Sequence, residues 1–141
     1  MDGIITEQLL AKLNQDIWEF AEVLQRPSPE RWFIRLKKLN FTGFIMCEDN
    51  VDDIITPTIR IGILVADISG ISRQHLLELF ALNGQFHACT LSVESLEDKW
   101  ELFINRRIPV ESYHYGELEG YTMVMLEWFS IFQERIDGIL S

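Results

Sequence analysis

Little in this chain is suited to chemistry. It has two cysteines, Cys47 and Cys89, with no C-x-x-C spacing and no disulfide framework, and both sit inside apolar, strand-like segments. That placement predicts reduced core residues, since free cysteine is among the most buried residue types. The three histidines, His75, His87 and His114, form no H-E-x-x-H or other close pair, and no Cys–His spacing matches a zinc site. There is no glycine-rich phosphate loop, no G-x-S-x-G elbow and no lysine in a nucleophile context. No apolar run approaches the roughly 20 residues a membrane span requires. The start, Met1-Asp2-Gly3-Ile4, lacks the basic region and apolar run of a signal peptide. These absences lead us to expect a cytoplasmic protein that is not an enzyme and uses no cofactor or metal, in which the sequon Asn40-Phe41-Thr42 stays idle.

Basic residues are also few. Twelve Lys and Arg face 22 Asp and Glu, for a net charge of −10. Nucleic acid is disfavoured as a partner, because phosphate binding depends on clustered bases that release counterions. The deficit is uneven, however. Arg26, Arg31, Arg35, Lys37 and Lys38 lie within one stretch beside a single acid, Glu30, for a local +4. This run reads either as a solvated edge or as a docking patch for an acidic partner segment. The acidic knot Glu48, Asp49, Asp52 and Asp53 invites a calcium reading and fails it. An EF-hand loop starting at Asp49 would need an oxygen ligand where Val51 sits and a glutamate where Arg60 sits. The Glu117/Glu119 pair is not a catalytic dyad, since helical spacing of two sends the side chains to different faces.

What the chain does have is periodicity. Its 141 residues and 48% apolar content suit a single domain over 1–141, able to bury a core without a metal or disulfide. Thr6 precedes a helical stripe of Leu9, Leu10, Leu13, Ile17, Phe20, Ala21 and Leu24, stopped by Arg26-Pro27. Residues 28–39 are ambiguous. Ser28-Pro29-Glu30 looks like a helix start, whereas Trp32, Ile34 and Leu36 alternate as in a strand. Strands are predicted for Phe41 to Glu48 and Thr58 to Ile68. Ser72 caps a helix from Arg73 to Asn83 with the stripe Leu76, Leu77, Phe80 and Ala81, closed by a left-handed Asn83-Gly84. A hairpin follows, Phe86 to Glu94 and Trp100 to Asn105, ended by Pro109. The last helix, from about Gly116, carries Leu118, Tyr121, Met125, Trp128, Phe129, Phe132, Ile136 and Leu140, with Met123, Val124, Leu126 and Ile131 outside that stripe. A helix so apolar must be covered on two sides, either by the sheet and first helix or by a second subunit. A homodimer is the expectation drawn from it.

The run Leu76-Leu77-Glu78-Leu79-Phe80-Ala81-Leu82-Asn83, then a strand pair, Arg107-Ile108-Pro109-Val110 and a long final helix, resembles the bacterial type III secretion chaperone superfamily, which includes the Tir-chaperone class and YbjN-type proteins. The resemblance spans Ile71 to Ile136. It implies an α+β fold in the order α-β-β-β-α-β-β-α, with an antiparallel sheet packed with helices and Arg31 to Leu36 as the first strand. Pro29 and the basic run depart from the family pattern. It further implies a homodimeric protein holding a client polypeptide through exposed apolar patches, or a YbjN-type regulatory or assembly protein. Trp32, Phe33, Phe41 and Phe44 fall in the region matching the family's client-binding part and are the expected partner contacts. Against this stands the ordinary reading that these aromatics are core.

Overall fold

The computed structural model describes residues 5–49, 57–96 and 98–141, Leu96 by its backbone alone. Asp52 and Asp53 of the acidic knot therefore lie outside the described residues. The elements run α1 (Glu7–Phe20), β1 (Ala21–Ser28), β2 (Arg31–Leu36), β3 (Thr42–Glu48), β4 (Thr58–Asp67), α2 (Arg73–Ala81), β5 (Thr90–Leu96), β6 (Lys99–Pro109) and α3 (Leu118–Leu140). Short 3-10 turns follow α2 and β6. The strands form one antiparallel sheet in the order β1-β2-β3-β4-β6-β5, packed against the helices. The fold is α+β, with one more strand before α2 than the expected order contains.

The extra strand comes from the end of the first predicted helix. Thr6 caps α1 by accepting the Leu9 N–H at 3.1 Å, and Leu10, Leu13, Ile17 and Phe20 are buried. The 3–4 spacing predicts helix through Leu24, yet Ala21 is already extended and begins β1. Ala21 and Val23 also satisfy a period of two, and pairing Ala21 with Leu36 buries Ala21 completely while Leu24 stays exposed. Lys37 makes the early stop tolerable. Its N–H donates to Phe20 C=O at 3.1 Å and its Nζ to Trp18 C=O, so two of the helix's terminal carbonyls are satisfied without a glycine cap. The ambiguous stretch resolves as strand β2, which has partners on both sides.

Trp32, Ile34, Leu36, Ile45, Ile59, Ile61, Ile63, Leu102, Ile104 and Ile108 form the buried, helix-facing side of the sheet. The row Trp32–Ile45–Ile61–Arg106 fixes which side this is. At one end Trp32 Nε1 donates to Asn14 of α1 at 3.0 Å, and at the other the Arg106 guanidinium lies 4.3 Å from the Tyr121 ring of α3. The helix α3 is covered within the chain. Phe129 meets Phe41 edge-to-face at 6.1 Å, Phe132 packs 4.9 Å from Phe86, and contacts with α1, α2 and β6 complete the cover. Only Val124 and Ile131 among its large apolar residues remain exposed.

Two helix-end details differ from the sequence reading. Asn83 and Gly84 continue α2 as a 3-10 turn and not as a left-handed cap; the positive φ in this region falls at Ala88 (64°). Phe86 consequently drops into the core before β5 begins at Thr90.

One buried charge ties the ends of the chain together. Asp16 of α1 accepts from the Tyr113 hydroxyl at 2.7 Å and from the Gly116 N–H at 2.9 Å. Burial, then the bond to Asp16, pushes the Tyr113 hydroxyl's pKa up, so it stays a donor at any ordinary pH. Asp16→Ala leaves two donors without their acceptor. Charge-assisted bonds contribute about 1.5–3 kcal/mol each, so we expect a loss of about 3 kcal/mol in urea unfolding. A loss under about 0.5 kcal/mol would show that the clasp contributes nothing.

Candidate functional site

The four aromatics expected to hold a partner do not meet. Trp32 is 0% exposed and points at α1, and Phe41 is half-buried against α3. Phe33 and Phe44 lie on the opposite, helix-free face of the sheet, where Phe44 is only 5% exposed. That face is closed onto itself by its own side chains. The Phe44 ring spreads over Gly62 and meets Phe103 at 5.2 Å. The Arg60 guanidinium lies 5.1 Å above Phe44, donates Nε to Asn105 at 3.0 Å and pairs with Glu94. Arg31 covers Phe33 in the same way, leaving a depression of about 200 Å³. A partner docking here would have to displace these guanidinium groups. Trp32 and Phe44 therefore have no surface to offer.

The basic run is similarly committed to its own chain. Arg26 lies 4.7 Å over the Trp32 ring and donates to Pro29 C=O, Arg35 pairs with Glu22, Lys37 caps α1 and Lys38 reaches Glu119. Exposed ion pairs of this kind contribute about 0–1 kcal/mol.

Exposed apolar residues that line a groove lie elsewhere, on α2 and the β5–β6 hairpin. Leu79 is the only fully buried residue of α2, followed by Leu82 in the turn. Of the stripe read from sequence, Leu77, Phe80 and Ala81 instead face outward, with Leu77 58% and Phe80 37% exposed, while Leu76 is half-buried against the core. Beside it Trp100, 52% exposed, rises from the start of β6. Together Ile68, Gly70, Ile71, Leu76, Phe80, Val93 and Trp100 line a groove of about 350 Å³, with no charged residue among the described residues of its walls.

The groove is built by a short turn. Asp67 accepts the Ser69 N–H at 2.9 Å, which with the Ser69 hydroxyl holds its carboxyl pKa below the usual range. Gly70 then takes a φ of +81°, open to glycine at little cost, and Ser72 caps α2 by accepting the His75 N–H. Ser69 Oγ accepts the Trp100 N–H at 3.1 Å, and Ile68 N–H donates to Trp100 C=O at 2.8 Å. The indole is thus carried on a residue pinned at both its N–H and its C=O. Its position as a reader of the groove was hidden in the sequence, where alternation marks Trp100 only as a strand residue. The one visible signal was α2 itself, apolar over more of its circumference than one contact can bury.

The remaining reactive side chains offer little chemistry. Burial pushes the Cys47 thiol up to about 12 and the Cys89 thiol up to about 11, so both stay protonated near neutral pH. His87 packs 5.0 Å from Trp128, and His114 lies 3.3 Å from Glu117. Among the described residues no group of three or more His, Cys, Asp or Glu is placed to hold a metal ion. No helix among them is long and apolar enough to cross a membrane.

The class these features define is an α+β protein with helices against its sheet and an apolar groove at one end. No protein-family model matches the chain, and no curated protein matches it.

Proposed function

We propose that the protein is a non-enzymatic protein-binding module, similar in kind to the secretion chaperones that its second half resembles, and that it holds a partner polypeptide in the α2–Trp100 groove. One observation carries this reading. In a chain with 34 charged residues, none of the described ones lines the groove, and two of its lining residues, Phe80 and Trp100, are exposed together. Apolar surface gathered in this way marks an interaction site, whereas single exposed apolar residues do not. Large aromatics beside a concavity are also the usual anchors of an interface. A regulatory or assembly protein on the same fold is the second reading, favoured by the groove's volume, which falls in the roughly 300–1,000 Å³ range of small-ligand pockets.

Affinity capture from the native cells with mass spectrometry tests the first reading. Wild type and Phe33→Ser are expected to retain the same dominant polypeptide, and Trp100→Ser to lose it. Removing an aromatic anchor costs about 2 kcal/mol or more, which is about 30-fold in affinity. Equal recovery on Trp100→Ser would remove the groove from consideration. A monomer that retains no chain in any form would sink the protein-binding reading itself.

A further inference from the structure

The sheet has two edges, and they are built differently. Along β1 the pairing with β2 is irregular between Val23 and Gln25 and again between Gln25 and Ser28, and Pro27 removes a donor. Bulges, proline and an edge arginine are the devices by which proteins prevent a further strand from adding. The other edge, β5, has neither bulge nor proline. It pairs with β6 without irregularity from Thr90↔Asn105 to Leu96↔Lys99 and contains no proline.

One side chain shows what this edge can accept. Asn83 Oδ1 accepts the Leu91 N–H at 2.6 Å, and Asn83 Nδ2 donates to Leu91 C=O at 3.1 Å. A side-chain amide thus stands where the backbone of a neighbouring strand would stand. Because Leu91 turns its backbone away from β6, strand alternation turns Val93 and Ser95 the same way. Neither has a hydrogen bond on that side among the described residues. Val93 is also a wall of the apolar groove, so the open edge and the groove are one place.

We infer that the β5 edge beyond Asn83 takes up an additional strand from a partner whose segment alternates apolar residues and is flanked by lysine or arginine. This rests on the protein-binding reading and names the chemistry of the partner. Backbone bonds to Val93 and Ser95 would set the strand, and every second side chain would enter the groove beside Trp100. Charge selects the flanks. By sequence the segment from Asp67 to Glu101, which carries the groove and this edge, holds six acids and two bases, and with Glu94 paired to Arg60 on the opposite face it keeps a net −3. A second copy of the chain would bring −3 against −3, and like charges across an interface are costly.

The test uses the full chain, isotope-labelled, and two synthetic peptides. Both have three valines alternating with two threonines; one carries two lysines at each end, the other two glutamates. The lysine peptide is expected to slow amide exchange at Val93 and Ser95 about tenfold, to shift Trp100 emission to the blue, and to bind about tenfold tighter than the glutamate peptide at low salt. That preference should close near 0.5 M salt, where screening shortens the reach of surface charge to about 4 Å. Ser95→Pro removes an outward donor and is expected to abolish the exchange effect without unfolding the protein. A Trp100 response without protection at Val93 and Ser95 overturns strand addition and leaves the groove reading standing. No response to either peptide, alongside successful cellular capture, overturns the inference alone. Equal binding of the two peptides overturns the basic flanks. Protection of both amides in the free protein that fades on dilution assigns the edge to a second copy and overturns the inference.

Discussion

Gly43→Ala is expected to prevent folding or to cost at least about 3 kcal/mol. A Cβ at Gly43 would lie 2.1 Å from the carbonyl oxygen of Gly62 and 3.1 Å from Ile63 Cα. Both are backbone atoms of β4, paired with β3 from Gly43↔Ile63 to Glu48↔Thr58. Overpacking a core ordinarily costs about 1–3 kcal/mol because a side chain can turn aside. Here relief requires the ladder between two central strands to open. Against a total stability of about 5–15 kcal/mol, such a loss leaves little soluble protein. Gly138→Ala is the comparison. Its Cβ meets nothing within 4 Å in the middle of the last turns of α3, and alanine gains about 0.5–1 kcal/mol over glycine in a helix. Urea unfolding of the two variants should therefore move in opposite directions. A Gly43→Ala protein within about 1 kcal/mol of wild type would contradict the packing of β3 on β4.

Trp32→Ala is expected to lose about 4 kcal/mol, the usual range for deleting a buried aromatic being about 3–5 kcal/mol. The ring is fully buried, its Nε1–H is spent on Asn14, and the Arg26 guanidinium rests on its face. The substitution opens a cavity between the sheet and α1 and strips Asn14 of its donor. Trp32→Phe keeps most of the volume and should lose about half as much. A partner-contact role makes a different prediction, that stability holds while capture of the bound chain fails. Measuring the unfolding midpoint and the capture yield on the same preparations separates the two. Unchanged stability with lost capture would return Trp32 to the binding surface.

The contrast between Trp32 and Phe33 shows how far local pattern reaches. Alternation along Arg31–Leu36 places these rings on opposite faces of a strand, and that is a matter of local geometry. Which face receives the helices depends on α1 and α3, which approach from distant parts of the chain. The same limit applies to α2. Its five apolar positions at Leu76, Leu77, Leu79, Phe80 and Ala81 establish a helix with too much grease for one contact. They do not say that the helix turns Leu79 inward and leaves Leu77 and Phe80 exposed. Asn83 is harder still. A helix-ending asparagine is read as a cap, and only the nearness of Leu91 makes its amide a stand-in for a strand.

By itself the sequence determined the α+β class, the start of the first helix after Thr6, the Ser72 cap, the long final helix, and the end of the hairpin at Pro109. Each follows from short-range causes: a period of 3.6 or 2, a hydroxyl reaching an N–H three residues on, a missing backbone donor. Tertiary structure decided the rest. It ended α1 at Phe20 in favour of an extra edge strand, chose strand for Arg31–Leu36, buried Trp32 and Phe44, and left the groove and the β5 edge uncovered. In each case two local conformations or two orientations fit the sequence equally well. What separated them was the apolar area each could bury, and that is set by segments tens of residues away.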